Sequence, residues 1–147
     1  MLLSRYSDNS VRLLVHLALQ DDGYVTVGQA AEHGRMSRNH LMKVSRHLSQ
    51  LGYIETVRGK GGGMRLAMDP ATILLGDLIC DTEPTLEIIR CERIGYPFIG
   101  NCIFKNIALE GRDRFIEVLN NYTLADILGN SDQLSGFLNL PIQSTST

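Results

Sequence analysis

The sequence predicts a mainly α-helical fold with a small β-wing, and three observations predict it. Residues 37–66, SRNHLMKVSRHLSQLGYIETVRGKGGGMRL, hold a polar-faced helix followed at once by a glycine-tipped hairpin. Apolar residues recur at helical spacing in the stretch before it, from residue 8 to 33. A longer stripe of the same kind returns over 103–120.

Each element follows from local chemistry. Val11, Leu14, Val15, Ala18 and Leu19 give 8–20 one apolar face, with Ser7 as its expected cap. Asp21-Asp22-Gly23 turns the chain. Val25-Thr26-Val27 leads into a short alanine-rich helix over 28–33, closed by Gly34. Ser37 stands where an N-cap hydroxyl would take up an orphan N–H of the next helix. Leu41, Val44, Leu48 and Leu51 form the buried stripe of that helix, and Arg38, Asn39, Lys43, Arg46 and His47 fall off it. Gly52 ends it as a residue free to take positive φ. Residues 53–58 have strand composition, 59–63 are a glycine-rich turn and 64–68 a return strand. Helix, short turn, helix and basic hairpin make a winged helix-turn-helix.

Beyond the wing, Asp69-Pro70 breaks the strand and 73–80 reads as a short helix. Residues 84–102 lose periodicity, with Gly95, Pro97 and Gly100 marking a loop that contains Cys91 and leads to Cys102. The 103–120 helix carries Ile107, Ala108, Gly111, Phe115, Val118 and Leu119. That stripe is too wide for a lone helix to bury, so it reads as a dimerisation helix. Thr123 caps a last helix over 124–128, and 131–147 reads as a flexible tail.

The 147-residue chain has a net charge of −2, but the average hides a division. Between 32 and 65, Arg35, Arg38, Lys43, Arg46, Arg58, Lys60 and Arg65 face only Glu32 and Glu55. Acidic residues predominate after residue 70. A basic module joined to an acidic one suits local phosphate binding. Charge runs are more often merely solvated faces, but here the charges sit on the two elements a winged helix uses. No apolar run reaches about 20 residues, and the first residues lack a signal-peptide pattern, so the expected location is cytoplasmic, with no membrane partner. Three cysteines in such a protein suggest free thiols or metal ligands rather than disulfides. No nucleophile–base set, phosphate loop or catalytic carboxylate pair is present, so an enzyme is not expected.

Ser37-Arg38-Asn39-His40-Leu41 with Lys43, the wing 57–63 with Arg65-Leu66, the pair Glu83-Pro84 and the run 121–126 occur together in order. Together they resemble the Rrf2 family of bacterial regulators over residues 1–130, and most closely its nitric-oxide-sensitive repressors. The resemblance implies a dimeric regulator with a DNA-reading part over 1–70, a sensor loop over 84–102 and the dimerisation helix 103–120. It implies an iron–sulfur cluster held by three cysteines in that loop. Cys91 fits the first position and Cys102 the third, but Tyr96 occupies the middle one. A phenolate is a poor cluster ligand, so a 2Fe–2S centre is favoured over 4Fe–4S. Asp8 matches a position that in some of these repressors supplies a carboxylate from the partner subunit. Cys80 lies on a predicted helix outside the motif and reads as a small buried hydrophobe, although it offers a possible third thiolate. His16 and His33, without a matching ligand nearby in sequence, read as structural or exposed.

The expected function is a repressor that binds double-stranded operator DNA as a homodimer and responds to nitric oxide. Arg38, Asn39 and His40 are expected nearest the base edges, with Ser37 at the start of the helix. Lys43 and Arg46 are expected on phosphates or flanking bases, and Arg58, Lys60 and Arg65 on the backbone or minor groove. Two alternatives stay open. One is a cluster-free regulator that senses by thiol chemistry, binds constitutively or reports iron status. The other is an assembly protein that uses the winged fold for protein contacts.

Overall fold

The computed structural model describes residues 2–20, 23–89 and 102–129. The elements are α1 (Arg5–Ala18), α2 (Val27–His33), α3 (Arg38–Gln50), β1 (Ile54–Val57) and β2 (Gly63–Leu66). A short 3₁₀ turn, Pro70–Thr72, leads to α4 (Leu75–Thr82), and α5 (Ile103–Leu119) and α6 (Leu124–Leu128) follow. The predicted tail 131–147 and the Asp21-Asp22 turn lie outside the described residues.

α1 starts earlier than its apolar stripe suggests. Ser4, not Ser7, is its N-cap and accepts a hydrogen bond from the Ser7 N–H. Ser7 is fully buried and lies inside the first turn, so it cannot serve as the cap. α2 begins at Val27 because Thr26 and Gln29 form a reciprocal capping box. Ser37 does hold the N-cap position of α3, but its side chain makes no capping hydrogen bond. The end of α3 is as expected. The Tyr53 N–H reaches back to the Leu48 carbonyl at 3.0 Å and Gly52 N–H to that of Ser49 at 3.2 Å, with Gly52 at φ 83°. This paired closure needs a residue that tolerates left-handed φ.

One core lies among α1, α2, α3 and the root of the wing. Leu13, Leu14, Ala30, Leu41, Val44 and Leu48 are completely buried there. Each fully buried leucine contributes about 1.5–3 kcal/mol against its exposed state. The strands pair antiparallel, Ile54 opposite Leu66 and Val57 opposite Gly63. Val25 adds a third rung, exchanging both backbone hydrogen bonds with Met64 at 2.9 and 2.8 Å. This bond pair ties the wing to the residues just before α2.

α4 spans 75–82 rather than 73–80, because Leu74 is taken up in an isolated bridge with Thr123. Its contacts lie with α5 on one side and α1 on the other. Gly76, Leu78, Ile79 and Thr82 are its buried residues. Cys80 is therefore on the opposite side, exposed, and not the buried hydrophobe the sequence suggested. Thr123 caps α6 in a second capping box, with Asp126. α5 has no buried residue in this chain. Ile103, Phe104, Ile107 and Val118 are each more than half exposed.

Candidate nucleic-acid interface and metal ligands

The outward face of α3 is polar and open. Arg38, Asn39, His40, Lys43 and Arg46 are all exposed, while Leu41, Val44 and Leu48 anchor the opposite face. Asn39, Met42, Lys43 and Arg46 share one side of the helix by their spacing of three and four. Met42, 54 % exposed, is the member that sequence reading passed over. Its signal was available: it is apolar yet stands outside the buried stripe. His47 is half-buried, its ring 5.8 Å from that of Tyr6, and so packs α1 on α3 rather than facing out.

The wing presents Arg58 and Lys60, both exposed, at its tip. Its turn is closed by a 3.0 Å bond from the Gly62 N–H to the Gly59 carbonyl. Arg65 sits on β2 and is engaged within the wing. Its guanidinium pairs with Glu55 opposite and lies 5.0 Å from the centre of the Tyr24 ring. The Tyr24 hydroxyl donates to the same Glu55 carboxylate at 3.1 Å. Arg65 thus braces the hairpin as well as adding positive charge. Tyr24, 41 residues before it, carried no sequence signal for that role.

The metal candidates divide. Cys91 and Tyr96 lie outside the described residues. Cys102 is a free, half-buried thiol at the N-cap of α5, with no capping hydrogen bond of its own. That end of a 17-residue helix favours negative charge. Asp8 lies in the first turn of α1, exposed, its carboxylate 3.0 Å from the Arg12 guanidinium. Among the described residues of one chain, no three His, Cys, Asp or Glu side chains form a metal-binding group. Cys80 has its pKa raised, first by desolvation of the sulfur and then by the carboxylates of Asp77 and Asp81. That shift makes the thiolate, the form that binds metal, harder to form.

The structure also joins two histidines that the sequence leaves apart. His16 is fully buried in α1, its ring 5.6 Å from that of His33 in α2. Among the described residues, both His16 ring nitrogens and Nδ1 of His33 find no hydrogen-bond partner. Burial, and then the charge of His33, lower the His16 pKa to about 4.

Comparison with known proteins places this geometry. The profile of the Rrf2 family, described as iron-dependent transcriptional regulators, matches residues 3–130. This chain belongs to the Rrf2 family. Relatives named HTH-type transcriptional regulator NsrR include one from Bacillus subtilis, 37 % identical, over 95 % of this chain and 99 % of that one. Another, from Shouchella clausii, is 40 % identical over 94 % and 95 %. Among solved structures, that of T. potens IscR superposes with a TM-score of 0.71 at 24 % identity, covering 91 % and 90 % of the two chains. Staphylococcus aureus CymR in its oxidized form reaches 0.66 at 27 %, over 84 % and 93 %. The Rrf2 chain is thus a transcriptional regulator on a winged-helix fold, and its relatives are regulators rather than enzymes. Among the described residues no helix is long and apolar enough to cross a membrane.

Proposed function

We propose that this chain is a cytoplasmic, dimeric repressor whose affinity for operator DNA is set by an iron–sulfur centre that responds to nitric oxide. The observation that carries the DNA half is the open face of α3, backed by a braced basic wing. Arg38, Asn39 and His40 enter the major groove at the N-terminal end of α3, with the Met42 methyl positioned to meet a thymine methyl. The unbonded Ser37 hydroxyl and the first free N–H groups of α3 are suited to a phosphate. Lys43 and Arg46 take phosphates or flanking bases. Arg58, Lys60 and Arg65 set the wing on the backbone or in the minor groove. Pairing of two chains through the open apolar face of α5 would place two such heads on one duplex.

Cys91 and Cys102 would hold the centre, with Asp8 supplied by the partner subunit. The position of Cys102 fits a thiolate ligand, and the exposed Asp8–Arg12 pair is weak enough, at about 0–1 kcal/mol, to leave Asp8 free to exchange. With Tyr96 in the middle position, 2Fe–2S is favoured over 4Fe–4S. When bound, such a centre supplies iron that reacts with nitric oxide.

Purification without oxygen, followed by absorption spectra and iron and sulfide counts, tests this. Wild type should be coloured, Cys91→Ala and Cys102→Ala colourless, and Cys80→Ala unchanged. Bleaching by Cys80→Ala would make Cys80 the missing thiolate. Tyr96 itself favours a second reading, a regulator that has lost its cluster and senses by thiol chemistry. Tyr96→Cys should then gain no iron, and both proteins would stay near zero. On the first reading, Tyr96→Cys should hold iron more firmly than wild type.

A further inference from the structure

We propose that α4 is a strut setting the pitch of the DNA-reading head on α5, with Tyr53 and Asp81 as its positioning residues for sequence-specific binding. The inference rests on the operator-binding reading above. Both ends of this eight-residue helix are anchored by hydrogen bonds. At its start, Asn120 of the α5 end accepts from the Asp77 N–H at 3.0 Å and donates to the Asp77 carboxylate at 3.1 Å. Leu75 N–H adds a 3.0 Å bond to the Tyr122 carbonyl. A Cβ on Gly76 would overlap the Asn120 side chain and the Ile116 carbonyl, so the two helices meet at backbone distance.

At its other end, three consecutive residues grip the reading head. Asp81 accepts a 2.7 Å hydrogen bond from the Tyr53 hydroxyl. Thr82 is hydrogen-bonded to buried Ser7 of α1 at 3.0 Å. Glu83 accepts from the Ser4 N–H, the cap of α1, at 2.6 Å. Two of these ties hold α1, and the third holds Tyr53. Its own N–H closes α3 onto Leu48, and its carbonyl accepts from the Ala67 N–H just past β2, each at 3.0 Å. One residue therefore joins the recognition helix and the root of the wing, through its backbone, to α4, through its hydroxyl. Burial and the Asp81 acceptor push the Tyr53 phenol up, so it remains a donor at every working pH. Base readout needs several side chains in register at once, whereas phosphate attraction tolerates a tilt. Loosening this joint should therefore cost specificity before affinity.

Tyr53→Phe is the direct test, because it keeps the buried ring and removes one hydroxyl from an exposed acceptor. The probes are a duplex selected from a random pool by the wild-type protein and a scrambled duplex of equal length. Tyr53→Phe should lose about tenfold in affinity for the selected duplex and nothing on the scrambled one. Melting temperature should fall by no more than a few degrees, since the acceptor Asp81 is exposed. Asp81→Ala should reproduce the loss, and Asp81→Asn, which keeps an acceptor, should restore wild-type selectivity. Unchanged selectivity in Tyr53→Phe and Asp81→Ala, equal losses on both duplexes, or Asp81→Asn behaving as Asp81→Ala would overturn the strut alone. If wild type selects no duplex, the operator reading falls and the strut with it.

Discussion

The reading head and α5 both carry apolar stripes, yet one closes on itself and the other does not. Leu13, Leu14, Leu41, Val44 and Leu48 vanish entirely into the head, whereas no residue of α5 is buried. Phe115 is half-buried beside Leu3 and Leu86 of its own chain, so it belongs to neither extreme. The open face of α5 is instead made by Ile103, Phe104, Ile107 and Val118. A closed core makes one chain sufficient for folding. An open stripe of this size suits a partner surface, which the dimer proposed above would supply.

The sharpest way to break that contrast is a charge on the open face. Ile107→Glu should turn a dimer into monomers by sedimentation at micromolar concentration and abolish tight operator binding, while the head keeps its fold. Burying a carboxylate in an apolar seam costs several kcal/mol. A wild-type monomer at that concentration would remove the basis of the comparison.

Leu41→Ala comes next, because Leu41 is completely buried between recognition helix and core. It should destabilise by about 2–5 kcal/mol by denaturant unfolding. The same truncation at Ile107, measured where the chain is monomeric, should stay within about 0.5 kcal/mol. Equal costs would mean that α5 is buried after all.

Acid should weaken the head specifically. The native pKa of His16, about 4, lies below the ordinary 6.5, so the unfolded chain binds the extra proton. Stability from keeping His16 neutral is full above pH 6.5 and drains between there and about pH 4, by about 3 kcal/mol in all. His16→Leu should flatten that slope in a pH series of urea melts. An unchanged slope would place the titration elsewhere.

The smallest effect is expected at a cap. Thr26→Ala removes the hydroxyl that accepts from the Gln29 N–H, at about 0.5–2 kcal/mol, read as a lower melting temperature. The loss should appear in the head without altering the dimer.

Most of the head was legible because its determinants are local. Glycine at 52, the stripe Leu41, Val44 and Leu48 and the hairpin composition each act within a few residues, whereas Leu51, expected in that stripe, is the exposed C-cap of α3. Ser4 against Ser7 was not decidable locally, since either hydroxyl can cap. Burial of Ser7 against Thr82 settles it from 75 residues away. Distance in sequence likewise hid the His16–His33 pair, the Tyr53–Asp81 bond and the exposure of Cys80, which depends on which side of α4 meets its neighbours. Of the candidate ligands, Asp8 and Cys102 can be placed, and both are accessible.

Gly76 sets a measurement by what it lacks. The separation of α4 and α5 is fixed where a missing methyl group lets the Asn120 amide reach the backbone of Asp77. Every other residue at that position brings a Cβ into space already filled, so the spacing has no graded series of variants. Substitutions on the exposed face of α3 leave this gauge untouched, while any side chain at Gly76 must displace Asn120 or the α5 backbone.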